Sequence, residues 1–285
     1  MFLEFYGLKQ KPFGKTPDPE MLFLTPRYEE ALARMEQAME DRELMVLTGE
    51  IGSGKTTLCR ALIDRVSGHY KIALIINPRL SPNQLLRTVA RRLGASEPKY
   101  FKSDLLEQIF ELLFEFYQKG ICPVLIIDEA HLIPGREGFE EIRLLTNFQL
   151  DQENLMSLIL MGQPELNQRL SHSVYEPLFQ RIGIRYHLPA LEREEIEQYI
   201  NFRLSKSGRK SPLFTPEAIE LIWIYSGGIP RRINNIATNA LIEGFARQAN
   251  LITKNIVENV VLDLGLEPVI KPEEKKKKTA IRSAG

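Results

Sequence analysis

One octapeptide has residue types and spacing suited to binding phosphate. Residues 49–56 read GEIGSGKT and fit the pattern G-x-x-x-x-G-K-[ST]. Glycines let the backbone wrap around phosphate with its N–H groups pointing inward, and a following helix adds the positive end of its dipole. In this pattern Lys55 reaches the β- and γ-phosphates and the Thr56 hydroxyl binds Mg²⁺. The predicted phosphate loop comprises Gly49, Glu50, Ile51, Gly52, Ser53, Gly54, Lys55, Thr56 and Thr57.

Two adjacent carboxylates form the second group with possible chemistry. Asp128 and Glu129 follow the apolar residues 124–127, which are typical of a strand buried on both faces of a parallel sheet. Ligands of such sheets bind at the carboxyl ends of the strands. Asp128 is predicted to hold Mg²⁺, and Glu129 to orient and polarise an attacking water, which favours ATP hydrolysis over phosphate transfer to another acceptor. We interpret His131 as a polar residue at the strand exit, without a catalytic role.

Alternating strands and helices must position these groups. Their alternation up to residue 188 predicts a doubly wound α/β domain with a parallel five-stranded sheet, a P-loop NTPase fold in which helices cover both faces. The predicted strands are residues 44–48, 72–76, 124–127, 155–160 and 183–188, and the predicted helices among them are 54–66, 81–93, 103–117 and 137–150.

The remaining segments predict the domain organisation. Residues 1–26 are rich in proline and aromatic residues, which predicts an irregular segment packed on the α/β domain, so that this domain spans residues 1–189. Only helical patterns follow, which predicts a small helical lid domain over residues 190–265. Residues 266–285 include four consecutive lysines and are predicted to form a disordered basic tail.

Composition and charge exclude several classes of protein. The 285 residues are 44% hydrophobic and 26% charged, as in folded globular proteins. The formal net charge is zero, yet residues 271–285 carry +4 and the rest −4, so no broad nucleic-acid-binding face is indicated. No uncharged apolar run approaches the roughly 20 residues of a membrane span, and the N-terminus lacks a secretory pattern. We therefore expect a cytoplasmic protein. Cys59 and Cys122 form no disulfide framework or metal-binding spacing.

The sequence resembles the AAA+ superfamily and, more narrowly, the general secretion pathway protein A (ExeA/GspA) type of ATPase. The similarity extends over residues 1–262. The phosphate loop and IIDEAH at 126–131 are two of the matching segments. The others are FYGL at 5–8, KPF at 11–13, TPDP at 16–19, LF at 22–23, MGQPEL at 161–166, QRI at 180–182 and GGIPRRIN at 227–234.

The resemblance implies roles for residues outside the phosphate loop. Asn77 matches the position that restrains the catalytic glutamate, although before Pro78 it is equally a turn residue. Gln163 matches sensor 1 and Arg231 matches sensor 2, which both read the γ-phosphate. Arg181 matches the arginine finger that completes a neighbour's site, with Arg185 as the alternative. The resemblance thus implies an ATP-dependent homo-oligomer, a ring or partial ring.

Two main biological functions remain open at this stage. The first is an assembly or remodelling ATPase of a secretion or type IV pilus-like system, with a protein client and a location in the cytoplasm or peripherally at the inner membrane face. The alternative is a DNA-binding AAA+ ATPase of the transposition target-selector type, with basic residues such as Arg87, Arg91 and Arg92 on a helix face. A regulatory switch with slow turnover is a third possibility. The acidic body and the N-terminal signature favour the first.

Overall fold

The chain forms two units that each have their own internal contacts. The computed structural model describes residues 1–14, 16–66, 68–150 and 153–270. The α/β unit comprises Pro26–Glu50 and Lys55–Leu188, and the helical unit comprises Met1–Thr25, Ile51–Gly54 and the chain from Pro189 onwards. The predicted tail lies outside the described residues from position 271.

The α/β unit is built on a five-stranded parallel sheet. Its strands are β1 Leu44–Gly49, β2 Tyr70–Ile75, β3 Cys122–Ile127, β6 Ser157–Gly162 and β7 Ile182–Leu188, and they lie in the order β2-β3-β6-β1-β7. A separate antiparallel pair is formed by β4 Gln149–Leu150 and β5 Glu153–Asn154. Strands β1 and β6 are buried at every residue, whereas the edge strand β7 alternates. This pattern follows from helices covering both faces of the central strands, and it confirms the predicted α/β fold.

Helices flank the sheet and make up most of the other unit. In chain order they are α1 Phe2–Phe5, α2 Pro26–Glu40, α3 Lys55–Arg65, α4 Pro82–Leu93, α5 Lys102–Gln118, α6 Gly135–Leu145, α7 Pro164–Leu170, α8 Glu176–Phe179, α9 Arg193–Lys206, α10 Pro216–Ser226, α11 Pro230–Ala246 and α12 Lys254–Asp263. The start of α4 is set by a capping box, in which the Ser81 hydroxyl accepts from the Gln84 N–H and the Gln84 side chain accepts from the Ser81 N–H. Among the described residues, no helix combines the length and the apolar character that crossing a bilayer requires.

The region after α6 differs from its prediction. A helix over residues 137–150 was expected, but α6 ends at Leu145 and the short β4–β5 pair follows. The Thr146 hydroxyl donates to the Arg143 carbonyl, and the Phe148 ring packs on Phe110 with 5.9 Å between centroids. The chain therefore turns back towards the core before another helical turn can form.

The N-terminal segment belongs to the helical unit, whereas the sequence analysis placed it on the α/β domain. The Tyr6 hydroxyl donates to the Ala249 carbonyl at 3.1 Å, and Phe13 makes an edge-to-face contact with Phe214. Phe23 packs against Tyr199 of α9 in the same way. These aromatic side chains bury apolar area against parts of the helical unit that the local sequence pattern of residues 1–26 does not identify.

Candidate functional site

The predicted phosphate loop connects β1 to α3. Gly52 and Gly54 have φ angles of +82° and +101°, which are accessible to glycine without steric cost. The Lys55 side chain is buried, and its ammonium group donates to the carbonyls of Gly49 at 2.7 Å and Glu50 at 3.0 Å. The loop thus holds a cationic group against its own backbone. Thr57 continues α3 beside Thr56.

The first carboxylate lies beside the loop threonine. Asp128 follows β3 and is buried, and its two oxygens accept from the Thr56 hydroxyl at 2.7 Å and from the Glu129 N–H at 2.9 Å. A carboxylate and a hydroxyl are oxygen ligands of the kind that Mg²⁺ prefers. The residues present therefore fit the metal implied by the loop.

The second carboxylate sits on an unusual backbone turn. Glu129 has a φ angle of +55°, a left-handed conformation that is uncommon for residues other than glycine and is frequently found at functional sites. Its side chain is about one-third exposed, and its Oε2 lies 3.4 Å from Nε2 of His131. The turn therefore directs the Glu129 carboxylate to the histidine.

His131 connects Glu129 to the end of the neighbouring strand. The Gln163 N–H donates to Nδ1 of His131 at 3.4 Å. Because a backbone N–H can only donate, Nδ1 must be the unprotonated nitrogen, so the neutral ring carries its proton on Nε2, towards Glu129. Sequence reasoning missed this link. A signal was present, since the histidine lies two residues after a candidate catalytic carboxylate.

Arg169 holds the turn that carries His131. This residue of α7 donates to the backbone carbonyls of His131 at 3.2 Å, Ile133 at 2.6 Å and Gly135 at 2.7 Å. Its guanidinium also lies 4.7 Å from the centroid of the Phe139 ring. Several contacts thus fix the segment that follows the carboxylates.

Gln163 and Asn77 lie, like the two carboxylates, at the carboxyl ends of the strands. Gln163 follows β6 and precedes α7, while Asn77 lies just beyond the end of β2. Because β2, β3 and β6 are neighbouring parallel strands, their carboxyl ends come together. Asn77 is exposed with a φ angle of +57°, and within the described part of the chain Glu129 is contacted by His131 and not by Asn77.

Arg231 contacts Gly52, and both residues belong to the helical unit. It occupies the first turn of α11, and its N–H donates to the Gly52 carbonyl at 3.2 Å. A Cβ atom at position 52 would overlap the Arg231 side chain. Gly52 is therefore required both by its backbone angle and by the approach of this arginine.

Arg181 lies at the amino ends of the strands, opposite the end at which the phosphate loop lies. It directly precedes β7, and β7 pairs in parallel with β1 so that Leu44 is opposite Ile182 and Gly49 opposite Leu188. The six residues of β1 span about 20 Å. Arg181 therefore stands a strand length away from the phosphate loop of the same chain, where it lines a cavity of about 220 Å³.

The alternative residue, Arg185, is engaged in packing. Its guanidinium carbon lies 3.6 Å from the centroid of the Phe179 ring, and it donates to the Phe179 carbonyl at 3.0 Å. Arg181 is exposed and makes one long hydrogen bond, 3.4 Å, to the Thr146 carbonyl. Both side chains are exposed, and Arg181 is the less constrained of the two.

Cys59 lies beneath the site on α3. Burial raises the pKa of this thiol to about 12, and the charge of Asp128 acts in the same direction. The thiol therefore stays protonated at neutral pH, which argues against a role as a nucleophile.

Known proteins similar to this chain identify its family. Residues 37–170 match the AAA domain family. Over 258 residues the chain is 38% identical to general secretion pathway protein A from Aeromonas hydrophila, an alignment that covers 88% of this chain. The chain belongs to the AAA+ family, in the group typified by that protein. This AAA+ chain spans about half the relative's length, since the alignment covers 46% of it.

Solved structures support the AAA+ fold. The Aeropyrum pernix ORC2 protein superposes with a TM-score of 0.66 at 21% identity, covering 90% of this chain and 71% of that one. Cdc6p from Pyrobaculum aerophilum has a TM-score of 0.66 at 14% identity, covering 88% and 70%. The RuvB branch migration motor of Thermotoga maritima has a TM-score of 0.57 at 20% identity, covering 88% and 73%. At these identities the likeness concerns the fold.

Proposed function

We propose that this AAA+ protein hydrolyses ATP with Mg²⁺ and that the cycle drives assembly or remodelling in a secretion or type IV pilus-like system. The observation that carries the chemistry is the Thr56–Asp128 contact of 2.7 Å beside Glu129 at the mouth of the loop. The biological role rests on the 38% identity to general secretion pathway protein A. A protein client and a peripheral position at the membrane follow from that role.

The loop supplies binding. Residues 49–54 direct backbone N–H groups at the phosphates, and Lys55 moves from the Gly49 and Glu50 carbonyls to the β- and γ-phosphate oxygens. Thr56 and Asp128 hold Mg²⁺, which supplies charge neutralisation on the phosphates when bound. The buried position of Lys55 strengthens its attraction for an anion, because the local dielectric is low.

Glu129 acts on the attacking water. Its carboxylate accepts a hydrogen bond from the water and orients it towards the γ-phosphorus, and His131 positions the carboxylate through Nε2. Gln163 reads the γ-phosphate beside this water, and its backbone N–H sets the His131 tautomer. Asn77 also lies at the carboxyl ends of the strands, and its proposed role is to restrain Glu129 until ATP and a partner are in place.

Arginines complete the site from two directions. Arg231 acts on the γ-phosphate, since it already lies on Gly52 of the loop. Arg181 acts on the nucleotide of a neighbouring subunit, because it is a strand length away from its own loop. The active form is therefore a homo-oligomer, a ring or partial ring.

Two variants test the chemistry. Lys55→Ala should weaken ATP binding, because the phosphates lose their cationic partner. Glu129→Gln should keep ATP binding and reduce turnover by about 10²–10⁴-fold, because the amide does not accept the water proton. Binding of a fluorescent ATP analogue and phosphate release are measured on the same samples. A Glu129→Gln protein that turns over at the wild-type rate would remove this residue from the mechanism.

The biological role needs a separate test. Deleting the gene in its own host should reduce protein export or surface pili. A plasmid that carries the wild-type gene should restore them, whereas a plasmid that carries Glu129→Gln should not. If export and pili are unchanged in the deletion strain, the secretion role is wrong even where the ATPase assignment holds.

A further inference from the structure

Two segments far apart in sequence form one cationic surface on the helical unit. The Lys9 N–H donates to the Ser207 carbonyl at 2.8 Å, and Arg209 donates to the Tyr6 carbonyl at 2.7 Å. The contacts place residues 7–12 beside residues 205–212. Their basic residues, which we call the cationic surface, are Lys9, Lys11, Lys206, Arg209 and Lys210.

This surface lacks balancing charge. Neither residues 5–17 nor residues 198–216 contain an aspartate or glutamate. Across the described ranges, none of the five basic side chains lies within ion-pair distance of a carboxylate. Other basic residues of the same unit are paired, for example Arg193 with Glu220 and Arg247 with Glu243.

The local charge contrasts with that of the whole molecule. Residues 1–270 carry a net charge of −4, so five uncompensated cations in one place are not the result of a generally basic surface. Clustered like charges repel one another. An anionic partner would remove that repulsion and release counterions.

We propose that the cationic surface attaches this protein peripherally to a membrane through anionic lipid headgroups. The proposal rests on the secretion role proposed above, which places the protein at a membrane. The surface combines a loop, residues 7–12, with the C-terminal end of α9 and the turn that follows it. The side chains of Lys9, Lys11, Lys206 and Lys210 are exposed there, where phosphate groups can approach them. Aromatic rings nearby are not available for stacking on bases, because Tyr6 and Phe13 are buried and the Lys206 ammonium lies over the Phe202 ring. A single-stranded nucleic acid would use such rings.

Attachment of this kind would be reversible and sensitive to salt. Each lysine near an anionic bilayer contributes about a fivefold gain in partitioning, and the attraction fades within a Debye length of roughly 10 Å. One subunit would bind weakly. An oligomer presents the surface several times, so its attachment would be much tighter without any new contact.

Vesicle binding tests the proposal. All proteins are full-length and carry glutamine at Lys275, Lys276, Lys277 and Lys278, so that the tail does not contribute. Vesicles of phosphatidylcholine with phosphatidylglycerol should bind the parent protein, and pure phosphatidylcholine should not. The variant Lys9→Gln/Lys206→Gln/Lys210→Gln should bind about 100-fold more weakly to the anionic vesicles.

A matched control separates a local surface from net charge. The variant Arg91→Gln/Arg92→Gln/Lys99→Gln removes the same charge from exposed residues of the α/β unit and should bind vesicles less than about fivefold more weakly. Equal losses in the two variants would overturn the proposal. So would tighter binding of the parent to duplex DNA than to anionic vesicles at about 0.1 M salt, lost in the first variant.

ATP hydrolysis is measured on the same samples without vesicles. A protein that hydrolyses ATP but does not bind anionic vesicles contradicts the membrane surface alone. A protein that binds the vesicles through these lysines but has no ATPase activity contradicts the proposed enzymatic function alone. Thermal unfolding of the triple variants verifies that both are folded.

Discussion

At the scale of single residues, the contacts around Glu129 point to His131 as a residue that positions the carboxylate. His131 accepts from the Gln163 N–H and presents Nε2 to Glu129. The contact requires a side chain that accepts at one end and donates at the other. Glutamine also has this combination in its amide group, whereas alanine has neither.

Replacing His131 tests this positioning role. His131→Ala should reduce kcat by roughly tenfold to 100-fold with little change in ATP affinity, because the glutamate loses its partner while the phosphate loop stays intact. His131→Gln should recover most of the activity. Steady-state kinetics and nucleotide binding provide the measurement, and the exposed His172 serves as the control in His172→Ala. A loss in ATP affinity equal to the loss in kcat would indicate a structural role only.

Cys59 leads to a prediction about pH. Its pKa of about 12 leaves about one thiol in ten thousand ionised at pH 8, and the thiolate is the form that reacts. The folded protein should therefore be alkylated at Cys59 at least 100-fold more slowly than the same protein in urea. The rate in the folded state should rise with pH up to about 12. Mass spectrometry after iodoacetamide treatment measures this. Equal rates in the two states would show that the thiol is accessible and ionised.

At the scale of elements, the N-terminal segment is anchored by one buried phenol. Tyr6 is 1% exposed, and its hydroxyl donates to Ala249. Tyr6→Phe should lower the free energy of unfolding by about 1 kcal/mol, because the Ala249 carbonyl loses its partner. Tyr100→Phe is the control, since Tyr100 is 72% exposed, and should change stability by less than about 0.5 kcal/mol. Urea denaturation compares the two, and equal effects would contradict the anchoring.

Elements with strong local signals could be predicted from the sequence, and those decided by distant packing could not. The capping box of α4 and the buried strand β3 are signalled by adjacent residues, so their prediction needs no tertiary information. The end of α6 depends on Phe148 meeting Phe110. The position of the N-terminal segment depends on the Phe13–Phe214 ring contact and the Tyr6–Ala249 hydrogen bond, which join residues more than 200 positions apart in sequence. A local sequence pattern carries no information about contacts between residues so far apart in the chain.

In the candidate site too, some features have local sequence signals and others depend on contacts between distant segments. The positions of the loop and of Asp128 follow from motif and strand order, and the Thr56–Asp128 contact has the expected form. The link from Glu129 through His131 to Gln163 joins strands β3 and β6, so it requires the register between them. The contact of Arg185 with the Phe179 ring, which distinguishes it from Arg181, is a feature of the folded chain and not of the sequence pattern.

At the scale of the whole molecule, Arg181 predicts an activity that depends on association. An arginine finger is worth about 10³–10⁵ in rate, so specific activity should rise with protein concentration. Arg181→Ala should lose that factor while ATP affinity stays nearly unchanged. Arg185→Ala is the matched control and should retain most activity. Phosphate release over a dilution series measures the effect, and a specific activity independent of concentration would argue for a monomeric enzyme.

Mixing two inactive variants tests whether the finger acts between subunits. Lys55→Ala keeps an intact Arg181, and Arg181→Ala keeps an intact loop. A mixed oligomer contains interfaces that pair the intact loop of one subunit with the intact arginine of another, so some activity should return. No recovery in mixtures that form oligomers would place Arg181 outside the hydrolytic site.

The parallel pairing of β1 and β7 gives such an assembly a direction. The phosphate loop follows the carboxyl end of β1, whereas Arg181 precedes the amino end of β7. A contact between the loop of one subunit and Arg181 of the next therefore joins two different faces of the protein, which makes the interface heterologous. A heterologous contact closes into a ring only if its rotation divides a full turn, and otherwise it continues as a helical filament. In an open row of n subunits, n − 1 sites are complete and one terminal loop has no arginine. A filament of this protein would therefore have a polarity, with one end unable to hydrolyse its nucleotide and thus kept in the ATP-bound state.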